Sequence, residues 1–99
     1  MKQGSTPTLE FTIPLNEYTI SKARISFGYG NVLTLKKEKD ELKISDNLIK
    51  VTLTQEETFL FIPDSEVDIV LRIVTSEGTS LVSNDLKMFV EGCMDNEVL

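Results

Sequence analysis

The 99-residue sequence contains no histidine, no tryptophan and a single cysteine, Cys93. Histidine is the commonest general base and metal ligand, and one thiol can form neither a multi-cysteine zinc site nor an intrachain disulfide. Serine and threonine hydroxyls are plentiful, but the usual proton acceptor that activates such a nucleophile is missing. We therefore predict a protein that is not an enzyme and carries no cofactor.

Basic side chains are scarce, because ten Lys and Arg stand against 16 Asp and Glu and leave a net charge of −6. A nucleic-acid backbone attracts a basic face, so we predict no nucleic-acid partner. The charge is also uneven, since residues 1–50 hold eight basic and six acidic groups while residues 51–99 hold two and ten. This asymmetry is compatible with a solvated surface and also with oriented contacts between chains.

Long hydrophobic runs are absent too, since the longest one, residues 59–62, has four members. A membrane-spanning helix needs about 20 apolar residues, so we predict no membrane partner. Residues 1–6 lack the apolar core of a secretory signal peptide. We expect synthesis in the cytoplasm, where the unpaired Cys93 stays reduced.

The sequence does contain repeated apolar–polar alternation with a period of two, which is the signature of β-strands. Pro14 ends the first strand because proline cannot donate to a ladder. The alternation predicts strands at about residues 8–13, 22–29, 33–35, 42–44, 49–53, 67–74 and 81–90, with turns at Gly30-Asn31, in the charged stretch 36–41, and at Asp46-Asn47.

Three features organise the second half of the chain. Thr54 and Glu57 have the spacing of a capping box, which predicts one helical turn there. The strand at 67–74 is apolar on one face and half apolar on the other, as is typical of a central strand. The apolar parity of the last strand changes before Leu86, so we predict a β-bulge near Asn84-Asp85.

About seven short strands with almost no helix predict an all-β fold, an antiparallel immunoglobulin-like β-sandwich with one short helical turn. A small, partly open barrel uses the same alternation and is the alternative. A chain of 99 residues buries about 65% of its unfolded surface, which supports one domain spanning residues 1–99. We expect residues 1–6 and 92–99 to be flexible tails.

The acidic residues Asp64, Glu66 and Asp68 alternate, so an extended backbone projects all three carboxylates to one side, where they could bind Ca²⁺. The segment lacks the DxDxDG order of a calcium loop, and a solvated acidic face is the favoured interpretation. The GxG pattern at residues 28–30 is interpreted as a turn, not a nucleotide site. Acidic neighbours suppress the reactivity of a thiol, so we expect Cys93 to be inert.

Two places qualify as interaction surfaces. The first strand lies at one end of the chain, so we expect it at a sheet edge, with Thr8, Glu10 and Thr12 available to a partner. Val70 and Val74 make the second face of the central strand half apolar, which suits an assembly contact as well as burial within the chain.

Three motifs carry a resemblance: QGSTPTLEFTIP at 3–14, LTQEETF at 53–59 and LRIVTSEGTSLVS at 71–83. In this order they resemble the QGTTPT-like start, LTQEET-like middle and IRVLTxDG-like hairpin of a group of short, uncharacterised proteins of Firmicutes bacteria and their prophages. More distantly, the start is similar to the immunoglobulin-like N-terminal domain of phage baseplate upper proteins.

The resemblance implies a virion structural protein or adaptor of a phage or prophage tail or baseplate, made in the bacterial cytoplasm. Its implied partners are other phage structural proteins or further copies of itself. The alternative is a carbohydrate- or peptide-binding β-sandwich module. Only Tyr18 and Tyr29 offer tyrosine rings and no tryptophan is present, so stacking against sugars is poorly provided for.

Overall fold

The computed structural model describes residues 1–13, 19–45, 47–83 and 86–99. Eight strands lie within these residues, with a 3-10 turn at Lys39–Glu41 and one helical turn, α1, at Gln55–Thr58. The strands are β1 Thr8–Thr12, β2 Ile20–Tyr29, β3 Val32–Glu38, β4 Lys43–Ser45, β5 Leu48–Thr52, β6 Ser65–Thr75, β7 Ser80–Val82 and β8 Leu86–Val90.

The strands form two separate sheets in which every named pair is antiparallel. The smaller sheet has the order β1-β5-β4, and the larger has β3-β2-β6 with β7 and β8 following one another along the far side of β6. Two sheets confirm the all-β sandwich over the barrel. Eight strands replace the expected seven or so because the last predicted strand is divided into β7 and β8.

The core lies between the inner faces of the two sheets. Strand β6 is central, as predicted, because it pairs with β2 on one side and with β7 and β8 on the other. The ring centroids of Phe27 and Phe61 lie 5.8 Å apart and tilted within this core. The buried apolar side chains are Ile13, Ala23, Ile25, Phe27, Ile49, Val51, Leu53, Phe61, Val67, Ile69, Leu71, Ile73 and Val90.

The hairpin between β2 and β3 turns at Gly30-Asn31 as predicted, with Tyr29 paired to Val32. Gly30 has φ +60°, a conformation that glycine adopts without steric cost. A Cβ on Gly28 would collide with the Val32 carbonyl oxygen, so the close approach of the two strands also requires glycine. The GxG pattern therefore serves the turn.

The last edge of the larger sheet contains one extra residue. Five positions separate Leu81 from Leu86, whereas four separate their partners Ile73 and Ile69 on β6. This offset confirms the predicted change of parity. Asn84 and Asp85, where we placed the bulge, lie outside the described residues. Just before them the Ser83 hydroxyl accepts from the Leu71 N–H at 2.9 Å.

The capping box at α1 is confirmed in both directions. The Glu57 N–H donates to Thr54 Oγ1 at 3.1 Å, and the Thr54 N–H donates to Glu57 Oε1 at 2.9 Å. In the apolar run that follows, Phe61 is buried, whereas Leu60 and Ile62 are more than half exposed. One aromatic ring of that run therefore enters the core.

The charged stretch 36–41, predicted to be a turn, is only partly one. Strand β3 continues to Glu38, and the turn is confined to Lys39–Glu41. The strand is longer than expected because its cross-strand partners on β2 hold it, with Arg24 opposite Glu38 and Ile25 opposite Lys37. Of the turn predicted at Asp46-Asn47, Asp46 lies outside the described residues, as does Pro14.

Residues 1–6, which we expect to be a flexible tail, include side-chain and backbone groups that bind distant parts of the chain. Gln3 is 9% exposed, and its Nε2 donates to the Phe61 carbonyl at 2.8 Å. The Gly4 N–H donates to Thr58 Oγ1 at 2.9 Å. Because these partners are distant in sequence, local pattern does not reveal them.

At the C-terminal end of the chain, Met94 and Leu99 are exposed, and flexibility of residues 92–99 stays a prediction.

Candidate protein interaction surfaces

Strand β1 lies at an edge of the smaller sheet and pairs with β5. The ladder begins where the Leu53 N–H donates to the Pro7 carbonyl at 3.0 Å and ends where the Ile13 N–H donates to the Asn47 carbonyl at 2.7 Å. In an antiparallel pair, residues alternate between facing the partner strand and facing away from it. The odd-numbered residues of β1 therefore direct their backbone groups at β5.

The even-numbered residues Thr8, Glu10 and Thr12 consequently direct their N–H and C=O groups away from β5. Among the residues that the structure describes, no strand pairs with this outer edge. The side chains fit the assignment, since Thr8 Oγ1 and Thr52 Oγ1 lie 2.9 Å apart, as expected of a closely spaced pair without backbone bonds. The three residues proposed from the sequence thus share one open row of donors and acceptors.

The side chains of β1 are divided between its two faces. Thr8, Glu10 and Thr12 are exposed, and Glu10 Oε1 lies 3.5 Å from Lys50 Nζ. Leu9 and Phe11 are partly buried against the core. A strand added at this edge would therefore extend an apolar inner face and a polar outer face.

Val70 and Val74 lie on the outer face of the larger sheet, where each is half-buried. The structure brings them together with Arg72, which lies between them on β6 and is exposed. Arg24 on β2 is directly opposite Arg72. A groove of about 710 Å³ lies at the Val74 end of this face, and the residues that line it include Arg24, Glu38, Asp40, Arg72 and Val74.

The two arginines are like charges that lie directly opposite each other on neighbouring strands, an arrangement that destabilises a sheet. Glu38 offsets one of them, because its Oε1 accepts from Arg24 Nε at 2.8 Å. Arg72 makes no ion pair with any residue in the described part of the chain. The period-two alternation places Arg72 on the same face as the two valines, but only the register of β2 with β6 shows that Arg24 lies opposite it.

The acidic residues Asp64, Glu66 and Asp68 have separate surroundings. Asp64 Oδ1 accepts from the Gly92 N–H and Asp68 Oδ2 from the Gly30 N–H, each at 3.1 Å. Within the described ranges, no three His, Cys, Asp or Glu side chains are grouped so that they could hold a metal ion. The interpretation of these residues as a solvated acidic face stays a prediction.

The sequence did not reveal an ion pair between a buried lysine of β3 and a partly buried glutamate of α1. Lys37 points inward from β3, is 7% exposed, and its Nζ lies 2.6 Å from Glu57 Oε2 on α1. Burial raises the pKa of Glu57, but hydrogen bonds from Lys37 and Thr54 and the Lys37 charge outweigh it and leave that pKa below its ordinary value. Glu57 therefore stays ionised and links α1 to the edge of the larger sheet.

Comparison with known proteins adds no family. No known protein family matches the chain, and no curated protein sequence matches it. In the part of the chain that the structure describes, none of the helices is long and apolar enough to cross a membrane.

Proposed function

We propose that the protein is a non-enzymatic structural or adaptor component of a phage or prophage particle, in the tail or baseplate. It acts by pairing the outer edge of β1 with a strand of a neighbouring subunit. The observation that carries this proposal is the row of outward backbone groups at Thr8, Glu10 and Thr12. The particle itself is suggested by the resemblance of the three sequence motifs.

A second copy of the chain supplies a suitable strand. If two β1 strands pair antiparallel about Glu10, the two carboxylates lie opposite each other, which is unfavourable. Registers centred on Leu9 or Phe11 avoid this contact, because Glu10 then lies opposite Thr8 or Thr12. Such a pair would join two three-stranded sheets into one sheet of six strands.

The edge is tested by light scattering over a concentration series with Thr12→Pro. Proline removes an outward N–H and leaves the bonds to β5, so association should weaken by about tenfold while the melting temperature changes little. Phe11→Pro is the matched control, since it removes an N–H that faces β5 and should destabilise the fold; Phe11→Ala measures the side-chain part. A wild type that stays monomeric at all concentrations rejects self-pairing at this edge. Equal effects of Thr12→Pro and Phe11→Pro on folding would show that the edge is not open.

The particle is tested separately by gene neighbourhood. A position among tail or capsid genes in several genomes supports the proposal, and a stable position among metabolic genes in unrelated genomes contradicts it. A clear and competable hit on a glycan array would favour a carbohydrate-binding module instead. A short peptide that binds only while Thr12 retains its N–H would favour a peptide-binding module at the same edge.

A further inference from the structure

Residues 94–99, called the arm from here on, follow a stretch of chain that is bonded to distant parts of the domain. The Glu91 N–H donates to the Met1 carbonyl at 2.7 Å. The Gly92 N–H donates to Asp64 Oδ1 at 3.1 Å. The chain is therefore fixed to the domain up to Gly92, just before the arm begins.

The arm itself is bonded to the domain through Gln55, the first residue of α1. The Leu99 N–H donates to Gln55 Oε1 at 2.9 Å, and Gln55 Nε2 donates to the Leu99 carbonyl oxygen at 3.4 Å. A glutamine side chain offers both a donor and an acceptor, so it can bind a backbone unit as a neighbouring strand would. Among the residues that the structure describes, these are the only hydrogen bonds between the arm and the rest of the domain. Release of the arm therefore breaks no strand pair.

Two grooves beside α1 meet at the arm. One, of about 570 Å³, is lined by residues that include Phe59 and Phe61, and the other, of about 350 Å³, by residues that include Thr54 and Gln55. Val98 lines both grooves and is half exposed. The site therefore binds the backbone at position 99 and the apolar side chain one position earlier.

We propose that the arm is exchangeable: it docks on Gln55 of its own chain when the protein is dilute, and on Gln55 of a second copy when copies are close together. The arm already occupies this site in the structure, so the arm of another copy can make the same contacts. Exchange of an identical element between subunits is a low-cost route to association, because its contacts in the two states are the same. Six residues extend to about 20 Å, which limits how far apart the two copies can lie.

The tether sets the concentration at which exchange occurs. An arm on a short flexible linker meets its own groove at an effective concentration of about millimolar. Exchange therefore needs a comparable protein concentration, or copies that a particle holds side by side. The inference rests on the proposed function in taking contacts between subunits as the mode of action, but the site is separate from the edge of β1.

The test mixes two full-length variants on a Thr12→Pro background, which blocks the edge of β1. Leu99→Pro removes the N–H of the arm and leaves the groove free, whereas Gln55→Ala removes the amide of the groove and leaves the arm free. Each variant alone lacks half of the contact. The mixture contains both halves, and neither chain can dock its own arm in competition. In sedimentation velocity up to about millimolar, the two variants should bind each other about tenfold more tightly than either binds itself.

The chain that carries both Gln55→Ala and Leu99→Pro is the matched control, because it offers neither groove nor arm. It should associate with neither single variant. A mixture of the single variants that stays monomeric would overturn the inference, and so would a double variant that associates as well as they do. Thr12→Pro blocks one surface and the single variants disable the other, so failure of either contact leaves the other measurable.

The docked state in dilute protein is tested by hydrogen exchange at the Leu99 amide. This amide should be protected in wild type and should lose its protection in Gln55→Ala, because its acceptor is then missing. Equal exchange in the two proteins would contradict docking of the arm on its own chain. If Thr12→Pro does not fold, the same mixing experiment in the wild-type background decides the question, with each single variant as its baseline.

Discussion

Strand β1 is an edge of the smaller sheet and β3 is an edge of the larger sheet. The two edge strands differ in the regularity of their pairing and in the side chains that they direct inward. Pairing of β3 with β2 shifts register between Phe27 and Gly28, and Lys37 points inward from β3 to a carboxylate on α1. Bulges and inward charges are two of the devices by which proteins prevent edge-to-edge pairing. Strand β1 pairs with β5 in continuous register. In the described part of the chain, the β3 edge therefore carries two protective features that the β1 edge does not have.

The largest expected loss of stability is in β6, which is paired with other strands on both sides. Leu71 is 5% exposed on the central strand, so Leu71→Ala should cost about 2–5 kcal/mol of unfolding free energy in urea titration. Leu9→Ala, on the partly buried inner face of β1, should cost less than half as much. Equal losses would mean that β1 is as integral to the core as β6, and the comparison of strands would fail.

Removing the protection of β3 should have the next largest effect. Lys37→Ala leaves Glu57 without its closest partner and should cost about 1–3 kcal/mol. It should also create association that Thr12→Pro does not suppress, because a second edge has opened. Glu10→Ala is the matched control at β1: it breaks an exposed pair and should cost at most about 1 kcal/mol. If Lys37→Ala does not associate more than wild type, the Lys37 charge does not prevent pairing at the edge of β3.

The protected edge should also depend on pH. The folded-state pKa of Glu57 lies below its ordinary value of about 4.5, so its stabilising contribution is fully present above the unfolded pKa and is lost as pH falls through the folded pKa. Melting temperatures of wild type and Glu57→Gln should therefore differ most above pH 5 and converge in acid. Glu10→Gln, at the open edge, provides the control. A difference that grows on acidification would have the wrong sign for this account.

The smallest effect is expected in the C-terminal segment. Val98 is 49% exposed, and Val98→Ala should change the free energy of unfolding by less than about 0.5 kcal/mol. Gln3→Ala, at the other end, removes a buried amide that binds the Phe61 carbonyl and should cost about 1–3 kcal/mol. Urea titration of both variants would show whether only the first residues are tied to the fold.

Much of this comparison follows from local sequence pattern. Period-two alternation identified β6 as central, and the capping box at Thr54 and Glu57 lies where its spacing predicts. The parity change before Leu86 revealed an extra residue, because a side chain in a strand has only two faces to occupy. The edge position of β1 also agrees with the expectation from its place in the chain.

The rest depends on contacts between distant residues. Lys37 lies in a stretch of charges that predicts a turn, but in the structure it pairs with Ile25 on β2 and with the carboxylate of Glu57 on α1, as a buried strand residue. The sequence pattern predicts that Gln3 belongs to a tail, whereas in the structure its side-chain amide donates to the Phe61 carbonyl. Arg72 stands out only beside Arg24, a neighbour 48 positions away that register alone reveals. Local strand propensity and period-two alternation do not predict which distant residues pair with each other.

Residue-resolved hydrogen exchange of the β1 amides tests the open edge most directly. In dilute protein, the account predicts slow exchange at Leu9 and Phe11, which face β5, and fast exchange at Glu10 and Thr12, which face away. At concentrations where the protein associates, exchange at Glu10 and Thr12 should slow while that at Leu9 and Phe11 stays the same. Equal protection of all four amides in dilute protein, or association that leaves Glu10 and Thr12 fast, would contradict the claim that β1 is the edge through which this protein binds its partners.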